Sequence, residues 1–138
     1  MRIVIMGSGR TGSRLADMLA AADHRVSVID WNEEAFDRLG EDFPGETVLG
    51  NAIDVDVMRA AGLDSADAFV AATSGDNRNI MASEIAREVF HVPRVVCRVK
   101  DPNRARIFGQ MGISIDCRTM EGANAILELI GASDRVMC

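Results

Sequence analysis

Short apolar runs alternate with longer amphipathic ones along the chain, and that alternation sets the order of elements. Arg2 to Met6 reads as a buried strand. Leu15, Met18, Leu19 and Ala22 follow at the three-and-four spacing of a helix with one buried face. After a turn at Ala22–Arg25, a second strand, Val26 to Ile29, leads through Asp30 to Asn32. Asn32 suits a helix N-cap with Glu33 and Glu34 in the first turn, and Gly40 marks that helix's end. Beyond the Pro44-Gly45 turn, the pattern predicts a strand near Thr47–Leu49 and a short helix over 54–61 stopped by Gly62. It then predicts a strand at Ala68–Ala72 and a helix over 77–90 with Ile80, Ile85 and Val89 inward. A strand at Val95–Val99 precedes a helix opened by Asp101-Pro102, with the proline where a missing N–H costs nothing. A strand near Ile113–Ile115 and a helix over 120–130 finish the pattern.

Strands separated by helices imply a parallel sheet covered on both faces. The expected fold is therefore α/β, a Rossmann-like doubly wound parallel sheet of six strands in one domain over residues 1–138. Apolar residues at 48% and charged residues at 26% fit a soluble α/β domain able to bury its own core. The run Ala68–Ala72 is far shorter than the roughly 20 apolar residues of a membrane span, and the start lacks a signal peptide's basic flank. A cytoplasmic location is expected. The net charge of −6 argues against nucleic acid as the main partner, because phosphate-backbone binding requires a basic face. Cys97, Cys117 and Cys138 are odd in number and lack metal-ligand spacing, which suits free thiols in a reducing compartment and gives no metal site.

The chemistry concentrates at the first strand–helix junction. Gly7-Ser8-Gly9-Arg10-Thr11-Gly12 follows a strand and opens a helix, the setting in which a GxGxxG motif binds a dinucleotide. Gly7 permits the sharp turn, Gly9 lets backbone approach a pyrophosphate, and Gly12 lets helix pack on sheet. The free amides and positive dipole of the helix start make an anion site, and Arg10, a cation that opposes the dipole, calls for an anion beside it. The other reading of Arg10 is a solvated side chain whose stem covers apolar surface. Asp30 lies 18 residues after Gly12, close to the roughly 20 expected of a carboxylate that accepts from an adenosine ribose. Its replacement by alanine is expected to weaken nucleotide binding and leave the fold intact. With no arginine beside it in sequence, NAD or an adenine nucleotide is favoured over NADP. Trp31 either leans on the adenine or packs at a strand end.

Further candidates sit at the ends of later strands, where open α/β sheets bind ligands. Asn51 and Ala52 either read an adenine edge or form an Asx turn. Thr73, Ser74, Asp76 and Asn79 lie where the far ribose or terminal phosphates would reach, although Asp76 serves equally as a helix cap. Arg98, a charge inside an apolar strand, needs a phosphate or a carboxylate. Catalytic signals are poor: His24 and His91 lie away from the ligand edge, and no HExxH, GxSxG or Walker lysine occurs. A binding module is expected. The alternative is the cofactor half of an NAD-dependent oxidoreductase whose substrate residues lie elsewhere.

The series GSGRTG, VSVID, GNAID, VAATSGDNRNI and VVCRVKDPNRARIFGQMGI resembles the nucleotide-binding lobe of potassium-transport regulators, the Trk/Ktr N-terminal (TrkA-N) or RCK domain. The resemblance covers nearly the whole chain. It implies a cytoplasmic regulatory subunit that binds NAD(H), ATP, ADP or AMP and controls a membrane potassium channel or transporter, through which it would sit at the inner membrane face. It assigns phosphates to the glycine loop and Arg10, the ribose to Asp30, the adenine to Asn51 and Ala52, and the region beyond the pyrophosphate to Thr73. Arg98 would meet a phosphate or a dimer partner. Such lobes pair as homodimers or larger homo-oligomers, with the last strand and helix as the partner surface. The smaller C-terminal lobe common in that family does not follow here, so the chain is either a fragment or acts alone.

Overall fold

The apolar runs become six strands: β1 (Arg2–Met6), β2 (Arg25–Asp30), β3 (Glu46–Leu49), β4 (Ala68–Ala71), β5 (Arg94–Arg98) and β6 (Ser114–Asp116). A computed structural model, which describes residues 1–132, orders them β3-β2-β1-β4-β5-β6 with every pairing parallel. The helices are α1 (Arg10–Ala21), α2 (Val55–Ala60), α3 (Asp76–Glu88), α4 (Pro102–Gly109) and α5 (Arg118–Leu129). Strand order reverses between β1 and β4, and ligands of open α/β sheets bind beyond the strand ends at such a reversal. The fold is the expected Rossmann-like doubly wound sheet.

Period-two alternation splits the strand residues between two cores. On one face Val4, Met6, Ile29, Phe69, Val95 and Cys97 pack with Met58 of α2, Ile80 and Ala82 of α3 and Ala105 of α4. On the other, Ile3, Ile5, Val26 and Val28 pack with Ala16 of α1 and with Phe36, Leu39 and Phe43. The buried residues of this second core come from β1, β2 and α1, with Ala68 and Val70 of β4 only partly buried at its edge. From that edge Ala68, Val70 and Val96 floor a groove that α1 overlooks. This corrects the expected buried face of α1. Gly12, Ser13 and Ala16 are its buried residues, Leu15 and Leu19 are half-buried, and Ala22 and Met18 are exposed, Met18 by 60%, because the sheet beneath that side lies open.

Two further expectations change. The predicted second helix is instead a 3-10 turn, Glu33–Arg38. It is pinned in front by the Asn32 side chain, which accepts from Glu34 N, and behind by Asp17, which accepts from Gly40 N at 3.0 Å. Val89 is exposed, not inward: α3 ends at Glu88, the chain turns at His91 (φ 54°), and Phe90 takes the buried place. As expected, Asp101 caps α4 by accepting from Asn103 N, with Pro102 at the first position. Cys97 and Cys117 are buried free thiols, while Cys138 lies outside the described residues. Among the described residues no helix is long and apolar enough to cross a membrane, and no cluster of His, Cys, Asp and Glu could hold a metal.

Candidate functional site

Two of the three motif glycines are fixed by the protein itself and one is not. Gly7 turns off β1 with φ +105°, a left-handed conformation that side chains rarely adopt. A Cβ on Gly12 would lie 1.8 Å from the Gly7 carbonyl oxygen, so α1 seats on the turn only without a side chain there. A Cβ on Gly9 would meet nothing within 4 Å, and its φ of −79° suits any residue. The space above Gly9 therefore lies open for a group from outside the chain. The first helical bond of α1 runs from Ser13 N to Gly9 O, which leaves the amides of Arg10, Thr11 and Gly12 at the open end of the helix. No acidic residue and no side-chain cap neutralises that end.

Asp30 braces this turn from the tip of β2. Its carboxylate accepts from Ser8 N at 2.8 Å and from Asn32 N at 2.9 Å. Carboxylate oxygens have about four acceptor positions, so two remain for ribose hydroxyls. The bond to Ser8 corrects one expectation: Asp30→Ala would strip a partner from a buried amide and disturb the loop as well as the ligand. Ser8 offers no side chain to a ligand, because its hydroxyl is buried and donates to Ala35 O.

Across the strand reversal, Asn79 is wholly buried. Its Oδ1 accepts from Thr73 N and Thr73 Oγ1, and its Nδ2 donates to Thr73 O and Arg98 O, both at 2.9 Å. Its hydrogen-bonding capacity is spent. Asn79 thus shapes the β4 and β5 tips and has nothing left for a ligand, a correction to its place among binding candidates. Asp76 acts similarly, accepting from Lys100 N and Asp101 N at 2.8 and 3.0 Å.

Above this frame Gly7, Gly9, Arg10, Thr11, Asp30, Trp31, Thr73, Ser74 and Arg98 line one cleft of ≈ 450 Å³. Arg38, from the end of the 3-10 turn, and Arg78, from the first turn of α3, line it as well. Sequence reasoning missed both. Arg38 left no signal, whereas Arg78 carried the same one as Arg10, a cation at a helix start. The cleft thus gathers, among the described residues, four guanidiniums and one carboxylate. Among the described residues none of the four has an ion-pair partner, while Arg59, Arg87, Arg104 and Arg118 each have at least one. Arg98 Nε is buried without a hydrogen-bond partner, while Asp116, its register neighbour on β6, pairs with Arg118 at 3.0 Å. An unpaired buried guanidinium nitrogen is costly and calls for an anion. No arginine neighbours Asp30 in the sequence, as expected, but Arg38 and Arg78 line the same cleft and bring positive charge to it from other elements.

Beside the cleft a second slot of ≈ 170 Å³ is lined by Met6, Ile29, Asn51, Ala52 and Ile53, together with Asp30, Trp31 and Arg78, which also line the cleft. Asn51 Oδ1 accepts from Ile53 N at 3.2 Å, the Asx-turn alternative, which leaves its Nδ2 as the group able to reach a base. The slot suits a flat apolar ring joined to a phosphorylated sugar in the cleft.

The TrkA-N domain profile matches residues 3–116. The chain belongs to the TrkA-N domain family. The Trk system potassium uptake protein TrkA of Streptomyces coelicolor is 49% identical over 113 residues, 82% of this chain and 51% of that protein. This TrkA-N chain spans about half the length of the curated relatives it matches. Of solved structures, the TrkA-N domain of the Escherichia coli inner membrane protein ybaL superposes with a TM-score of 0.83 at 24% identity, covering 94% of this chain and 96% of that one. The Shewanella denitrificans Kef CTD in AMP-bound form superposes with a TM-score of 0.79 at 24% identity, covering 96% and 84%. These likenesses speak for the TrkA-N fold.

Proposed function

We propose that this TrkA-N domain is the nucleotide-binding part of a potassium-transport regulator. It binds NAD(H) or an adenine nucleotide (AMP, ADP or ATP), carries out no chemistry of its own, and controls a membrane potassium channel or transporter subunit from the cytoplasmic side. The single observation that carries this reading is the cleft over Gly9, where open space, uncapped α1 amides, Asp30 and the unpaired Arg10 and Arg98 converge. The glycine loop, Arg10, Thr11 and Arg98 hold the phosphates, Asp30 the ribose, and the slot beside Asn51 and Ala52 the base. Thr73 and Ser74 border the far end. Named relatives that are Trk potassium uptake proteins and a neighbour with AMP bound support the ligand class and the role.

Regulation requires the nucleotide to favour one arrangement of the assembly over another. The groove floored by Ala68, Val70 and Val96 and the exposed Ile126, Leu129 and Ile130 at the end of α5 support pairing with a second copy as the element that moves. The role is tested in the native host by deleting the gene and measuring rubidium uptake as a proxy for potassium. The wild-type gene restores nucleotide-responsive uptake, and Gly9→Val does not. Uptake unchanged by the deletion would refute the role, and equal restoration by both would remove the nucleotide from it.

A further inference from the structure

Arg78 holds a position that phosphate binding does not explain. It borders both the phosphate cleft and the base slot, and Gly7, Asp30 and Trp31 are the other residues shared by the two. The cleft already has Arg10, Arg38 and Arg98 for phosphates, whereas Arg78 is the one cation on the slot among the described residues. Its guanidinium carbon lies 4.4 Å from the centroid of the Trp31 ring, so a planar cation already rests on an aromatic face at the slot's mouth. Arg78 and Trp31 are both exposed, Trp31 by 70%, and no other hydrogen bond or ion pair of the described residues fixes Arg78. Arg78 comes from α3 on the β4 side and Trp31 from the tip of β2, so their contact spans the strand reversal above Gly7.

We infer that Arg78 is the specificity-determining residue for the base, parked on Trp31 in the free protein and transferred onto the face of the bound adenine. Apolar contacts from Ala52, Ile53 and Met6 supply the opposite wall. The transfer exchanges one cation–aromatic contact for another, which makes closure over the ligand cheap. Recognition by a guanidinium face selects for a ring and leaves the phosphates to the other arginines. The inference rests on the nucleotide reading above.

Trp31 is the only tryptophan of the chain, so its emission reports this contact without a label. The test titrates wild type, Arg78→Ala and Arg78→Lys with ADP and with pyrophosphate, and wild type also with NAD, by calorimetry and by Trp31 fluorescence. Wild type binds ADP with a change in Trp31 emission. Arg78→Ala loses about tenfold or more in ADP affinity, the usual size of a base-stacking loss, and less than about twofold for pyrophosphate, a difference a phosphate ligand would not show. Its free-state emission already matches that of nucleotide-bound wild type. Arg78→Lys keeps the charge, lacks the plane, and fails to restore ADP affinity. Unchanged ADP affinity in Arg78→Ala, equal losses for ADP and pyrophosphate, or full rescue by lysine would each overturn the inference while leaving the nucleotide reading standing. Wild type that binds neither ADP nor NAD defeats that reading itself.

Discussion

The floor of the site and its mouth treat polar groups in opposite ways. On the floor, Ser8, Asn79 and Asp76 spend their side chains within the protein, binding Ala35 O, the Thr73 backbone, Arg98 O and the Lys100–Asp101 amides. At the mouth, Arg10, Arg38, Arg78 and Arg98 have no carboxylate partner among the described residues, in a chain whose net charge is −6. Carboxylates outnumber cations in the sequence, 21 to 15, yet among the described residues none pairs with these four. The floor holds a shape, and the mouth offers the cations that the proposed nucleotide would meet. Changes to the floor should therefore cost stability and changes to the mouth should cost binding.

Gly12→Ala tests the floor hardest. A methyl 1.8 Å from Gly7 O forces α1 off its turn, and we expect a loss of at least about 3 kcal/mol, beyond ordinary overpacking, together with loss of nucleotide binding. Chemical denaturation measures it; a normal midpoint would mean that helix and turn are not in contact. Asn79→Ala follows, leaving Thr73 and Arg98 backbone groups unpaired in a buried place. It should cost about 3 kcal/mol and roughly 10 °C in Tm. Asp30 joins the two regions, because it braces Ser8 N and faces the cleft. Asp30→Ala should lower stability by about 1–2 kcal/mol and affinity for ADP or NAD by at least about tenfold, and Asp30→Asn, which keeps an acceptor, should recover most of the stability and little of the affinity. An alanine variant with full affinity would remove the ribose assignment. The smallest effect concerns Cys97, whose thiol burial pushes above its usual range. Near neutral pH it stays protonated, so alkylation of Cys97 in the native protein should be slow beside that in the unfolded chain, as peptide mapping by mass spectrometry would show.

Much of this was legible in the sequence because local rules and global fold agree. The strand, GSGRTG, helix, strand and Asp30 run dictates its own geometry, since only glycine fits at Gly7 and Gly12. Asn32, Gly62 and the Asp101-Pro102 pair mark their boundaries through short-range hydrogen bonding and fixed dihedrals. What the sequence hid is long-range. The stripe Leu15, Met18 and Leu19 looks buried to any periodicity argument, and only the strand order reveals that the sheet beside it is uncovered. Asn79 looked like a ligand residue because its type and position suited one, and its role depends on carbonyls at Thr73 and Arg98 that spacing does not bring together. Arg38 reaches the cleft because Asn32 and Asp17 tighten the preceding segment into a 3-10 turn, which the pattern of charges does not encode.

Gly9 separates the two regions most cleanly, because the protein leaves the space above it free. Calorimetric titration of wild type and Gly9→Val with ADP should give measurable binding for wild type and at least about a tenfold loss, 1.4 kcal/mol, for the variant, with melting temperatures within a few degrees. Equal affinities in the two proteins would contradict a phosphate lying over that turn.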